Sequence, residues 1–389
     1  MNRFCSIFSQ LLKLFPRLEF EALVKAHRGE YHARGFSCWD QFVAMLFCQL
    51  GRAQSLREIC GGLASCEGKL VHLGVTGAPS RSTLSYANAQ RPWQLYRAVF
   101  DALLVRCQQV VAGHGRKFRF KNRLLSVDAT TIELCATLFD WAKFRRTKGA
   151  VKLHLVLDHD GYLPSVAVIT DGKQADVKVA RRLRFAPGSI LVMDRGYLDF
   201  TWFGQLTAQG VFFVTRPKHN TAYRVVEVRS FPEQSLVVAD EVIDLTGQGA
   251  ERACPYRLRR IEVVVPETGE LITLLTNHLE FAATTVAAIY KDRWQIELLF
   301  KALKQNLRIK TFVGTSPNAL HIQIWTALIA MLILRYLQLR ARFSWSLSNL
   351  VALLRMNLFV HRDLWHWIDE PFEPPATIPE PLQSVFAFA

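Results

Sequence analysis

Leu124-Leu125-Ser126-Val127-Asp128-Ala129 is a short apolar run that closes on an acid, the pattern of a buried strand that delivers a carboxylate at its end. Downstream, residues 151–157 and 163–169 are β-rich runs separated by Asp158-His159-Asp160-Gly161, a hairpin-turn signal. The spacing then changes. Residues 175–183 carry apolar side chains at helical intervals, 189–193 form another buried run leading into Asp194, 200–209 are helical again, and 211–215 read as a fifth strand. One strand, a hairpin and two helix–strand units follow one another.

That succession is α/β, and it is the order of an RNase H-like mixed five-stranded sheet with helices on both faces. The first and fourth strands are neighbours in such a sheet, so Asp128 and Asp194 are expected to face one another. Further along, 217–276 alternates β-type runs with Gly, Pro and charged turns, a β-rich insertion before a long helical pattern over 285–307. Upstream, the first hundred or so residues have three-and-four apolar spacing, as in 4–15 and 39–50, and Ser55-Leu56-Arg57-Glu58 has the form of a capping box. The expected organisation is an all-α N-terminal domain (1–115), an α/β core in two parts (116–216 and 277–370, the second with C-terminal helices), the insertion (217–276), and a proline-punctuated, poorly ordered tail (371–389).

Lys and Arg number 48 against 33 acidic residues, a formal charge of +15, which would attract a polyanion or an anionic membrane surface, with nucleic acid the leading partner. The basic charge has two local concentrations. Gly115 to Arg123 interleaves Phe118 and Phe120 with Arg116, Lys117, Arg119, Lys121 and Arg123, suited to tracking a phosphate backbone, although a solvated linker has the same composition. A short helix over 82–90, with Arg81, Ser82, Thr83, Tyr86, Asn88 and Arg91, fits a helix-turn-helix-like module and an ordinary polar helix face equally. The eight cysteines show no CxxC pair and no zinc-type spacing, which reads as buried free thiols in a reducing cytoplasm. Residues 1–20 lack the features of a signal peptide, and the apolar stretch 319–334 is too short to span a bilayer and reads as a core helix.

Phosphodiester cleavage requires an oxygen nucleophile in line behind phosphorus and stabilisation of charge on the attacking and leaving oxygens; two divalent cations held by carboxylates supply both. Mg2+ takes oxygen ligands and needs neither His nor Cys. Asp128 and Asp194 are candidates, although an Asp after an apolar run is also a common turn or cap residue. A third candidate stands on the helical pattern, where Tyr290, Arg293, Glu297, Lys301 and Lys304 recur at spacings of three, four, four and three along one stripe, beside an apolar stripe of Ile289, Ile296, Phe300, Leu303 and Leu307. Alone, that stripe is equally an amphipathic helix with an Arg293–Glu297 ion pair. Asp158 and Asp160 read as turn residues, Asp292 falls on another face from Glu297, and His154, His159, His361 and His366 lack a third ligand at useful spacing.

Tyr290-x2-Arg293-x3-Glu297-x6-Lys304, preceded by Asp194-Arg195-Gly196-Tyr197 and by Asp128 on a strand, resembles the signature of the DDE transposases of bacterial insertion-sequence family four. The resemblance covers 128–326 closely. It implies Asp128, Asp194 and Glu297 as catalytic, metal-binding acids for two Mg2+ (or Mn2+) ions, and Tyr290, Arg293 and Lys304 as transposon-end contacts. It also implies cut-and-paste transposition through a hairpin in a synaptic homodimer. Beside these, Lys301, Arg195, Arg116, Lys117, Arg119, Lys121 and Arg81 are the expected DNA-binding cations, and the site of action is the bacterial cytoplasm, at the nucleoid. Three other readings compete: a nuclease without strand transfer, a domesticated, non-catalytic DNA-binding protein, and a membrane-surface protein.

Overall fold

The computed structural model describes residues 5–31, 35–66, 68–135, 139–145, 148–247, 249–305, 307 and 312–373. The chain opens with six helices, α1 (Ile7–Leu12), α2 (Arg17–Ala26), α3 (Cys38–Leu50), α4 (Leu56–Ala64), α5 (Arg81–Gln90) and α6 (Gln94–Val111). Four of these starts, at α1, α3, α4 and α5, carry side-chain caps: Ser6, Ser37, Ser55 and Ser80 each accept a backbone N–H from the first turn. At Ser55 the expected box is shifted by one residue, because Glu58 accepts from the backbone of Gln54 rather than of Ser55.

There follow β1 (Leu124–Cys135), β2 (Lys143–Arg145), β3 (Lys148–Asp158), β4 (Leu163–Asp171), α7 (Asp176–Ala180), β5 (Ile190–Met193), α8 (Phe200–Ala208) and β6 (Phe212–Thr215). β1 is antiparallel to β3 and parallel to β5, β5 is parallel to β6, and β4 is antiparallel to β3. The order β4-β3-β1-β5-β6 therefore places β1 and β5 at the centre, and the four residues of β5 are all buried, as expected of a parallel strand covered on both faces. Leu191 and Met193 pack towards Trp202, Phe203 and Leu206 of α8. The alternate residues Ile190 and Val192 pack on the other face.

The sheet does not stop at five strands. The insertion supplies β7 (Tyr223–Val228), β8 (Val237–Leu245), a one-turn α9 (Ala250–Ala253), β9 (Leu258–Val264) and β10 (Leu271–Thr276). β10 pairs with β6 through Leu275↔Thr215 and Thr276↔Val214, so the meander β10-β9-β8-β7 continues the same sheet, which has ten strands with β2 against the start of β3. The five-stranded expectation is corrected here, and the cause is physical: β6 would otherwise present an unpaired edge, and the insertion returns to it in register.

The helices that close the chain are α10 (Ala283–Asp292), α11 (Trp294–Gln305), α12 (Pro317–Arg340), α13 (Leu347–Asn357) and α14 (Leu364–Asp369). The pattern read as one helix over 285–307 is thus interrupted at Arg293, where Arg293 N–H bonds to Tyr290 and Ile296 N–H bonds to Arg293, three-residue spacings that tighten the turn. α12 is longer than the 319–334 stretch suggested. Among the described residues it alone is long and apolar enough to cross a membrane, yet its side chains are sequestered by the fold. It packs on α3, α5 and α6, and one apolar cluster joins the N-terminal helices, α11 to α14 and one face of β1, β3 and β4. Among the described residues the cysteines form no disulfide, and most of them are buried. Residues 374–389, most of the expected tail, lie outside the described residues.

Candidate active site

Two carboxylates are set by strand register. The parallel ladder ends at Val127↔Met193, so Asp128 and Asp194 are the next residues on adjacent central strands and emerge side by side at the carboxyl end of the sheet. Asp128 is half-buried and its Oδ1 accepts the Ala129 N–H at 2.7 Å. Asp194 leaves the strand and caps a short turn, its Oδ1 accepting the Gly196 N–H at 2.9 Å, while its carbonyl accepts the Thr215 hydroxyl from the end of β6 at 3.0 Å. A Cβ at 196 would lie 3.0 Å from that same carboxylate oxygen, close enough that the Asp194 side chain would have to shift by a few tenths of an ångström. Tyr197 then turns inward and is buried, its hydroxyl without a hydrogen-bond partner and within electrostatic range of Asp128 and Asp194.

Glu297, in the first turn of α11, is the third acid. Its Oε1 accepts from Arg293 Nη2 at 2.8 Å, and the guanidinium carbon of Arg293 stands 5.6 Å from the centre of the Tyr290 ring. The interrupted helix therefore still brings Tyr290, Arg293 and Glu297 together. Burial pushes the Asp128 carboxyl up to about 7, and the charges of Asp194 and Glu297 push the same way against the Ala129 N–H and Arg293. The chemistry is that of mutually repelling acids sharing one site, an oxygen-only donor set in which a divalent cation offsets the repulsion. Their ligand oxygens do not all lie within 4.8 Å of one another; among the described residues only the exposed trio His366, Glu370 and Glu373 meets that spacing.

A model of a family described as "Transposase DDE domain" matches residues 119–333, more than half of the chain, and a "Domain of unknown function (DUF4372)" matches 5–76. The chain is 33% identical over 312 residues to "Putative transposase y4zB" of Sinorhizobium fredii, spanning 79% of this chain and 85% of that protein. The chain belongs to the DDE transposases of bacterial insertion sequences. A "Probable transposase for insertion sequence element IS5377" from Geobacillus stearothermophilus is 29% identical over 66% of this chain and 67% of its own length. "Putative transposase for insertion sequence element IS4SA" from Synechocystis is 24% identical over 74% and 81%. Among solved structures, the chain aligns with "Cryo-EM structure of piggyBac transposase synaptic complex with hairpin DNA", at TM-score 0.45 and 10% identity over 97% of this chain and 84% of that one. The transposase is a metal-dependent, DNA-cleaving enzyme of mixed α/β fold.

The remaining expected DNA contacts of the transposase are dispersed. Arg195 is exposed beside Asp194 and faces a small pocket shared with Arg216, Lys218, His219, Tyr223 and Arg260. Lys301 is exposed on α11 and Lys304 is half-buried. Arg119 and Lys121 are exposed in the linker, whereas Arg116 and Lys117 bind Asp160 and Asp292 at 2.9 and 2.5 Å, beside the start of β1 and away from Asp128. On α5, Arg81 and Tyr86 are exposed, but Asn88 is buried and accepts from Gln41, and Arg91 donates to the carbonyls of Phe36 and Ser37. Those last two tie the helical region together, Asn88 buried and Arg91 half-buried.

Sequence reasoning passed over Asp292 and His159. Both are buried, and they form a chain in which Ser126 Oγ meets His159 Nε2 at 2.7 Å and His159 Nδ1 meets Asp292 Oδ2 at 2.6 Å. Burial alone would raise the Asp292 carboxyl, but hydrogen bonds from His159 and Lys117 overturn this and hold it below its ordinary value. No sequence spacing links residues 126, 159 and 292; a buried Asp immediately before the Arg293–Glu297 pair was the available signal.

Proposed function

We propose that the sheet β4-β3-β1-β5-β6 is an RNase H-like core and that Asp128, Asp194 and Glu297 are its catalytic acids, holding two Mg2+ (or Mn2+) ions. The observation that carries the reading is the register Val127↔Met193, which sets Asp128 beside Asp194 while Arg293 holds Glu297 on the helix above. Burial of Asp128 among like charges fits a cation-binding role better than a structural one, because uncompensated carboxylates in one site cost stability. When bound, the ions would activate the attacking oxygen and stabilise charge on the leaving oxygen.

Around that centre, Arg293 orients the Glu297 carboxylate through its ion pair, and the Gly196 N–H fixes the carboxylate of Asp194. Tyr290, Arg293 and Lys304 contact the transposon end, as in the Tyr-Arg-Glu-Lys branch of insertion-sequence family four, and Lys301, Arg195, Arg116, Lys117, Arg119, Lys121 and Arg81 supply phosphate contacts. The reaction is cut-and-paste transposition by a homodimer on double-stranded DNA, in the bacterial cytoplasm at the nucleoid. Residues 1–115 bind DNA, 116–216 and 277–370 form the catalytic core, and 217–276 form its insertion.

The test is cleavage and joining of labelled DNA carrying the element's own ends, with Mg2+ or with chelator. Wild type gives metal-dependent nicks and joined products; Asp194→Ala and Glu297→Ala bind the DNA and give neither. Cleavage retained by purified Asp194→Ala would overturn the assignment.

A further inference from the structure

A cavity of about 770 Å³ lies away from the carboxylates. It lies beside the start of β1, where the α6–β1 linker, the β3–β4 turn and the last turns of α12 meet, and its wall includes Arg116, Lys117, Arg123, Tyr162 and Arg335. Asp158 of this wall pairs with Leu125, three residues before Asp128, or about 10 Å along the strand.

The charges of this cavity do not balance. Arg116 pairs with Asp160 at 2.9 Å, Arg123 with Asp158 at 2.6 Å, and Lys117 with Asp292 at 2.5 Å. Arg335 is the fourth cation, and no carboxylate among the described residues answers it. Its Nη1 donates to Gln338 at 3.0 Å, while its Nε is buried without a partner. A half-buried guanidinium with a free N–H costs stability unless an anion completes it. The other three cations stand at the rim with side chains 45–58% exposed, open to solvent and able to share a second acceptor.

We infer that this cavity is a phosphate-binding site in which Arg335 at its floor, with Arg116, Lys117 and Arg123 at its mouth, receives a phosphate group outside the reaction centre. The guanidinium fork matches a tetrahedral oxyanion, the cavity volume is within the range of small-ligand pockets, and one bound anion closes the count of four cations and three acids. The phosphate is either a DNA backbone phosphate or a free one. Only the first source rests on the reading of the chain's function proposed above.

Two measurements on the full chain separate the sources. Arg335→Gln is compared with wild type for binding to a labelled duplex of random sequence between 50 and 200 mM salt, and for the shift in melting temperature caused by inorganic phosphate. If the cavity seats a DNA phosphate, the variant's log–log salt slope falls by about 0.9, so that wild type loses about 3.5-fold more affinity across that range than the variant does. If it seats a free phosphate, the slope is unchanged and phosphate raises the melting temperature of wild type but not of the variant. Equal slopes together with equal phosphate shifts overturn the site. Arg335→Lys, which keeps the charge, restores whichever signal is lost, and Arg116→Gln at the rim is read in the same two assays should Arg335→Gln not fold. Glu297→Gln runs alongside: cleavage surviving in it would sink the reaction-centre assignment and leave the two phosphate measurements to stand by themselves.

Discussion

Replacing His159 by alanine tests the buried chain that ties the foot of β1 to the end of α10. The side chain is 4% exposed and that of Asp292 2% exposed, and Ser126 is fully buried, so water does not take over the lost bonds. Two hydrogen bonds disappear, one to a carboxylate; the Ser126 hydroxyl loses its His159 partner and Asp292 Oδ2 keeps only the 3.4 Å bond from the Tyr162 hydroxyl, and together these changes cost about 3–5 kcal/mol. Asp292→Ala is expected in the same range, and the double variant to cost at least about 2 kcal/mol less than the sum, because the second change removes a group the first has already left short of a partner. Urea unfolding of the four proteins gives these numbers directly. A second effect follows from position: Asp292 adjoins Arg293 and stands five residues before Glu297, so a shift of about 1 Å there lowers cleavage on the order of 100-fold while DNA binding stays near wild type. A His159→Ala protein within about 1 kcal/mol of wild type, or strictly additive single variants, would refute the reasoning.

Three further outcomes are expected. Burial lowers His154 to about 4; its stabilising contribution is complete above the ordinary histidine value and is lost as pH falls from about 6.5 through 4, a loss of about 3 kcal/mol that His154→Gln should flatten in pH-dependent unfolding curves. Arg259 and Asp240, each 3% exposed, form a two-armed ion pair at 2.7 and 2.6 Å inside the insertion; Arg259→Met alone should cost about 3–5 kcal/mol by calorimetry, and exchanging both residues for apolar ones far less. Gly196→Ala places a methyl 3.0 Å from Asp194 Oδ1, so cleavage should fall by at least an order of magnitude with little change in melting temperature, and an unaltered cleavage rate would show that the Asp194 carboxylate is not held by this contact.

The central strands and the two aspartates were legible because burial on both faces leaves a plain signal: 124–127 and 190–193 are apolar runs, and each is followed by an acid. The β-type runs of 217–276 were legible as strands, but their attachment to β6 was not, since backbone pairing at Leu275↔Thr215 depends on where the chain returns rather than on which side chains it carries. α5 shows the same limit at the level of single residues. Asn88 and Arg91 share its polar composition with Arg81 and Tyr86, and only contacts with α3 and the segment before it decide that Asn88 is buried and that Arg91 is turned to the carbonyls of Phe36 and Ser37.

The interruption at Arg293 explains why Asp292 was set aside. On an uninterrupted helix Asp292 and Glu297 point away from each other, and an acid opposite the functional stripe reads as solvated. In the fold both stand by β1: Asp292, last in α10, reaches His159 and Ser126 near its start, while Glu297, in the first turn of α11, lies in electrostatic range of Asp128 two residues further on. The three-residue hydrogen bonds around Arg293 make that division possible, and they leave the guanidinium between Tyr290 and Glu297. A substitution that straightened this turn would therefore move the carboxylate and its buried anchor together, which is why the cost of His159→Ala should be read in cleavage as well as in stability.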